Sequence, residues 1–153
     1  MKTVLIAVDD SKGSETAVQA FLDLFVCVRP ETVVLLYVQK IEGRSLMDEM
    51  LGAAELSTLK EQLQGTEYQA ILDRKAKAVL EKNEAILRRH GVQGVHALVR
   101  EGHPSEEILA AAKTFKAGMI IVGSRGKRLH TLLMGSVSRE IANSAEIPVL
   151  IAR

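Results

Sequence analysis

The chain has 153 residues, with 20 basic and 19 acidic side chains, a net charge of +1, and 47% hydrophobic, 25% charged and 3% aromatic residues. That length suits one ordinary domain burying roughly 70% of the surface its unfolded form exposes, so no staple is required, and the single cysteine, Cys27, excludes an intrachain disulfide. The near-neutral balance and the lack of tryptophan argue against the cationic, aromatic surface of a single-stranded nucleic-acid binder.

The first apolar run, residues 4–8, is short, almost wholly aliphatic and stopped by Asp9-Asp10-Ser11-Lys12-Gly13, the pattern of a strand buried on both faces of a parallel sheet. Ser14 is placed to cap a helix whose apolar positions Ala17, Val18, Phe21, Leu22 and Phe25 recur at helical spacing and which stops before Arg29-Pro30. On that helix Cys27 reads as a small core residue, because no base accompanies it. A β-branched run at 32–38 predicts the second strand. Residues 41–65 then intervene as an insertion, in which Met47, Met50, Leu51, Leu56, Leu59 and Leu63 have helix-like spacing and read as packing rather than as a lid or oligomer contact. A long helix is predicted from about 67 to 90, and a third strand over 92–99 with one wetter face. Pro104, Glu106 and Glu107 mark the start of the next helix, where Pro fits the first turn and carboxylates suit the macrodipole, and His103 is placed to cap it. Strands at 118–122 and 147–152 enclose a helix from about 135 to 144. Strand and helix alternate throughout, so the fold class is α/β: a doubly wound parallel sheet with helices on both faces, spanning 1–153 as one domain.

No apolar run approaches the roughly 18 residues of a membrane span, and no secretory cleavage pattern precedes residue 4, so a cytoplasmic protein without a membrane span is expected.

Ligands of open α/β sheets sit beyond the carboxyl ends of the strands, which directs attention to two polar, glycine-bearing exits. The first is Asp9-Asp10-Ser11-Lys12-Gly13. Adjacent carboxylates point opposite ways, so Asp9 is assigned to the ligand and Asp10 to the turn with Ser11. The second runs from Gly123-Ser124-Arg125-Gly126 to Gly135-Ser136-Val137-Ser138, where two glycines permit close backbone approach and a helix start offers free amides. Arg125, Lys127, Arg128 and Arg139 face only Glu140 in charge across that stretch, which favours a phosphate over a neutral ligand. Two turns and a capped helix explain the same residues without any ligand.

Other chemistries fail on spacing. A phosphate-binding P-loop ending at Gly126-Lys127 would need Gly at Ile121 and Ser or Thr at Arg128, and no G-x-G-x-x-G follows a strand. His90, His96, His103 and His130 lack zinc-site spacing and read as structural.

Taken together, the strand ending in Asp9, the Gly123-Ser-Arg-Gly126 segment, Gly135-Ser136-Val-Ser138 and the closing Pro148-Val149-Leu150-Ile151 run resemble the universal stress protein family along the whole chain. The resemblance implies five parallel strands in the order 3-2-1-4-5. It also implies that ATP, or another adenine nucleotide, binds with Mg²⁺. Carried over to this sequence, Ala7, Val8, Asp9, Val38 and Val122 would surround adenine and ribose. Gly123, Arg125 and Gly126 would run beside ribose and phosphates, and Gly135, Ser136, Val137 and Ser138 would hold the phosphate chain. The family pattern G-x2-G-x9-G-[S/T] is departed from in one respect: eight residues, 127–134, separate Gly126 from Gly135. AMP, ADP or a cyclic nucleotide also suits a site with fewer distal phosphate contacts.

The resemblance further implies a homodimer through the apolar edge strand 147–152, for which Pro148 is suited; the competing expectation is that 41–65 covers that edge. The leading functional expectation is an ATP-binding regulatory protein of a stress response, since no catalytic constellation is present. A slow ATPase or autophosphorylating protein with Ser136 or Ser138 as acceptor, and a scaffold that binds no nucleotide, are the alternatives.

Overall fold

The computed structural model describes residues 1–40, 67–124 and 134–153; the inserted stretch 41–65 and the glycine loop that includes Arg125 and Gly126 lie outside the described residues. In chain order the elements are β1 (Thr3–Val8), α1 (Lys12–Leu24), β2 (Thr32–Gln39), α2 (Glu67–Arg89), β3 (Val95–Glu101), α3 (Pro104–Thr114), β4 (Met119–Gly123), α4 (Ser136–Ser144) and β5 (Val149–Ala152). All strand pairs are parallel, in the order β3-β2-β1-β4-β5.

The continuous apolar character of β1 and β2 follows from their central place, where both faces are covered. Val4, Ile6, Val33 and Leu35 pack with Phe21 of α1 and Leu80 and Leu87 of α2 on one face. Leu5, Val34 and Leu36 pack with Ile108 and Ala111 of α3 and Ile141 of α4 on the other. Strand alternation therefore divides the core into two layers, one on either side of the sheet. β3 is an edge strand and is half-open on both faces rather than on one: Val99 is 41% exposed, while Leu98 is partly buried against the α3/α4 layer.

Three sequence expectations are corrected. Helix α1 begins at Lys12 with Ser11 at its N-cap, and Ser14 lies inside the first turn. The same helix closes at Phe25, whose amide bonds to the Phe21 carbonyl at 3.0 Å and whose ring stacks on Phe21 at 5.0 Å. The apolar periodicity of the sequence continues past this point, but the helix does not, and Cys27 is exposed together with Val26 and Val28. The third strand starts at Val95, not residue 92, because Val92 still belongs to the end of α2. Its amide reaches back to Leu87 at 3.0 Å and that of Gly91 to Arg88 at 2.9 Å, a Schellman closure with Gly91 at φ +75°.

Candidate functional site

β1 runs beside β2 as far as Val8↔Tyr37, but beside β4 only as far as Ile6↔Ile121, whereas β4 stays with β5 to Gly123↔Ala152. The carboxyl ends of β1 and β4 thus part company. α1 leaves β1 toward one face and α4 leaves β4 toward the other, so the gap is the switch point at which open parallel sheets receive ligands.

The two polar exits meet there. A Cβ added at Gly123 would lie 2.5 Å from both the carbonyl carbon and the oxygen of Gly13, so the end of β4 and the first turn of α1 are in backbone contact that only glycine permits. Within the first exit, Asp9 organises the turn. Its Oδ1 accepts the Ser11 amide at 2.9 Å, the Ser11 hydroxyl and the Ser14 hydroxyl at 2.7 Å, and its own amide donates to Ser14 Oγ at 2.6 Å. The reading that gave this turn to Asp10 is therefore corrected, since Asp10 forms an ion pair with Lys75 of α2 at 2.7 Å. Asp9 closes the turn because Ser14, five residues on, is buried beneath it and returns the bond; that Asp9–Ser14 spacing was the overlooked sequence signal.

The second exit is anchored at both ends. Ser124, buried at 4% exposure, donates its amide to Ala152 at 2.7 Å, and its carbonyl accepts the Gly135 amide at 2.8 Å. Gly135, extended at φ −60° and ψ 154°, is the N-cap of α4, whose first turn carries no acidic residue and no side-chain cap. The amide of Gly135 is thus used within the fold, while those of Ser136, Val137 and Ser138 open the helix, where the dipole favours an anion. Ser136 is exposed. Ser138 is 3% exposed and its hydroxyl donates to the Gly135 carbonyl at 3.0 Å, so that proton holds the helix start.

Ala7, Val38 and Val122 share the α3/α4 face of the sheet. Val8 packs into the opposite layer, so only its backbone borders the gap. Arg125 and Gly126 lie outside the described residues. His103 occupies the N-cap position of α3 but makes no cap bond; its Nδ1 lies 2.9 Å from Ser105 Oγ instead.

A sequence model of the universal stress protein family matches residues 1–153. The chain belongs to the universal stress protein family. Universal stress protein MJ0577 of Methanocaldococcus jannaschii is 30% identical over 99% of this chain and 94% of its own length. The solved structure of hypothetical protein MJ0577 superposes with a TM-score of 0.69 at 27% identity, covering 99% and 94% of the two chains. A universal stress protein in complex with cAMP has a TM-score of 0.66 at 19% identity, covering 99% and 97%. One from Archaeoglobus fulgidus in complex with dAMP has a TM-score of 0.58 at 22% identity, covering 100% and 98%, and these last two share the fold.

In this universal stress protein Tyr37 is buried and pairs in register with Val8, the residue before the first exit. Burial pushes its phenol above 10.0; Asp10 and Asp9 push the same way and Lys75 opposes them. A phenol whose pKa is raised on folding gives its full stability below the unfolded value and loses it as pH rises through the folded one. Urea unfolding compared at pH 9 and pH 11 is expected to show a steeper alkaline loss for the wild type than for Tyr37→Phe. Equal losses would mean that the Tyr37 phenol is not held neutral by its surroundings.

Proposed function

We propose that this chain is an adenine-nucleotide-binding regulatory protein of a stress response, with ATP as its ligand. The observation that carries the reading is the backbone contact between Gly123 and Gly13, which brings the Asp9 turn and an acid-free helix start to one gap between diverging strands. In this reading Ala7, Val38 and Val122 receive the adenine and the Val8 backbone borders it. Asp9, with Oδ1 committed to the turn, turns its second oxygen to the ribose. Gly123, Arg125 and Gly126 flank the ribose and first phosphates. The amides of Gly135's neighbours Ser136, Val137 and Ser138, with the Ser136 hydroxyl, hold the phosphate chain. The donor set suits a polyphosphate: amides and hydroxyls at a helix start, without a carboxylate in its first turn. No group of three His, Cys, Asp or Glu side chains able to hold a metal occurs among the described residues, so Mg²⁺ would arrive on the phosphates rather than in a protein cage. Related folds carrying cAMP and dAMP, both adenine monophosphates, are consistent with an adenine ligand. The whole chain, 1–153, acts as one unit, in the cytoplasm.

Saturating Mg-ATP is expected to raise the melting temperature, because a ligand that binds only the folded state stabilises it by about 2.7 kcal/mol at a hundred times its Kd. Ser136→Ala and Gly126→Val are expected to shrink that rise, and mass analysis of the purified protein is expected to find co-purified nucleotide. No shift with ATP, ADP, AMP or cAMP would leave a scaffold that binds no nucleotide.

The described edge at β5 exposes a strand whose Val149, Leu150 and Ile151 are only partly buried, and residues 147–152 are proposed to pair with those of a second copy. Sedimentation equilibrium is expected to give twice the chain mass, and Leu150→Arg the monomer; a monomeric wild type at tens of micromolar would end that proposal.

A further inference from the structure

We propose that Glu140 is a positioning residue for the phosphate-binding end of α4, acting through Ser105; the inference rests on the nucleotide reading of that site. Helix α4 has nine residues, too few to be stable alone, and only Ser138 and Ile141 among its side chains are buried. Its first turn receives the phosphates, so anything that fixes α4 against the sheet fixes the amides that bind.

α4 meets α3 through both apolar and polar contacts. Ile141 packs in the same layer as Ile108. One residue earlier, Glu140 Oε2 accepts the hydroxyl of Ser105, which stands in the first turn of α3 and is 4% exposed. Ser105 has one proton and gives it to Glu140, so the 2.9 Å contact with His103 is one in which Nδ1–H donates to Ser105 Oγ. His103 Nδ1 also lies 3.8 Å from Glu140 Oε2. The result is a directed chain, His103 to Ser105 to Glu140, that crosses from α3 to α4. Among the described residues this is the one side-chain hydrogen bond that ties α4 itself to another element. The apolar contact sets the distance between the helices but is non-directional, whereas the carboxylate-to-hydroxyl bond sets the rotation and axial position of α4.

The arrangement has a cost that makes it informative: a carboxylate one turn from a phosphate site repels the ligand. Its hydrogen bond, not its charge, is the useful property. Glu140→Gln keeps an acceptor oxygen for Ser105 and removes the charge, so it separates the two.

The test uses the full chain with Ser105→Ala, Glu140→Ala, the double variant and Glu140→Gln, each first checked for an unfolding transition above the assay temperature. Calorimetric titration with Mg-ATP is expected to give a Kd about tenfold weaker for either alanine variant, about tenfold and not a hundredfold weaker for the pair, and wild-type or tighter binding for Glu140→Gln. Without nucleotide, exchange of the hydrogen-bonded amides of α4, from Arg139 to Ala145, is expected to quicken about tenfold in the alanine variants and to return to the wild-type rate in Glu140→Gln. Unchanged exchange and unchanged affinity, or losses that add to about a hundredfold in the pair, would overturn the role of Glu140. If the wild type binds no adenine nucleotide, the nucleotide reading falls, while the exchange rates still decide whether Glu140 positions α4.

Discussion

Gly123→Ala is expected to lower the unfolding free energy by about 1–3 kcal/mol and to remove most of the Mg-ATP-induced rise in melting temperature. The added Cβ would stand 2.5 Å from the carbonyl carbon and oxygen of Gly13 and 2.6 Å from its Cα, all backbone, so no side chain can rotate away to admit it. Either β4 withdraws from its pairing with β5 at Gly123↔Ala152, or the first turn of α1 moves out and takes the Asp9–Ser14 hydrogen bonds with it. Both outcomes widen the gap between the two exits. Differential scanning fluorimetry with and without Mg-ATP reads stability and ligand response in one experiment. A variant with lowered melting temperature but a full ATP response would show that the ligand does not use the gap beside Gly123.

Gly94→Ala is expected to cost more stability, about 2–5 kcal/mol, and to leave the affinity of the folded protein for nucleotide unchanged. Gly94 has φ +65°, which disfavours any L side chain, and an added Cβ would collide with the carbonyl oxygen of Glu31. The Gly94 carbonyl also accepts the Val33 amide at 2.9 Å, so the residue cannot move without loosening the start of β2. Gly91 offers the internal comparison: its φ of +75° is as unfavourable for alanine, but nothing lies within 4 Å of its added Cβ. Gly91→Ala therefore carries the conformational cost alone, about 1 kcal/mol. Chemical denaturation of the three variants separates steric collision from backbone strain. Equal losses at 91 and 94 would mean that the approach of Glu31 to Gly94 is looser than described. Because Gly94 stands at the amino end of β3, opposite the site, its variant is also the control for Gly123→Ala.

Burial on two faces leaves a plain trace in a sequence, and β1, β2 and β4 were legible for that reason: 4–8, 32–38 and 118–122 are near-continuous aliphatic runs. The long helix, predicted over 67–90 and observed as Glu67–Arg89, was legible from its length and periodicity. Element ends were less so. The helix ending near Cys27 was misplaced because Val26 and Val28 continue an apolar pattern in the sequence, yet among the described residues they stay 66% and 77% exposed. The turn after β1 was misassigned because Asp9 and Asp10 are chemically alike. Only the buried position of Ser14 decides which carboxylate it meets.

By itself the amino-acid sequence determined the alternation of strand and helix, the two glycine-bearing exits and the family resemblance, because these depend on local periodicity and on residues close together in the chain. Tertiary structure decided the rest. It set Gly123 against Gly13, tied Gly135 to Ser124, and joined Glu140 to Ser105. Those pairings join residues distant in the chain. Their energies arise from close contact and shared desolvation, which no local pattern of residue types encodes.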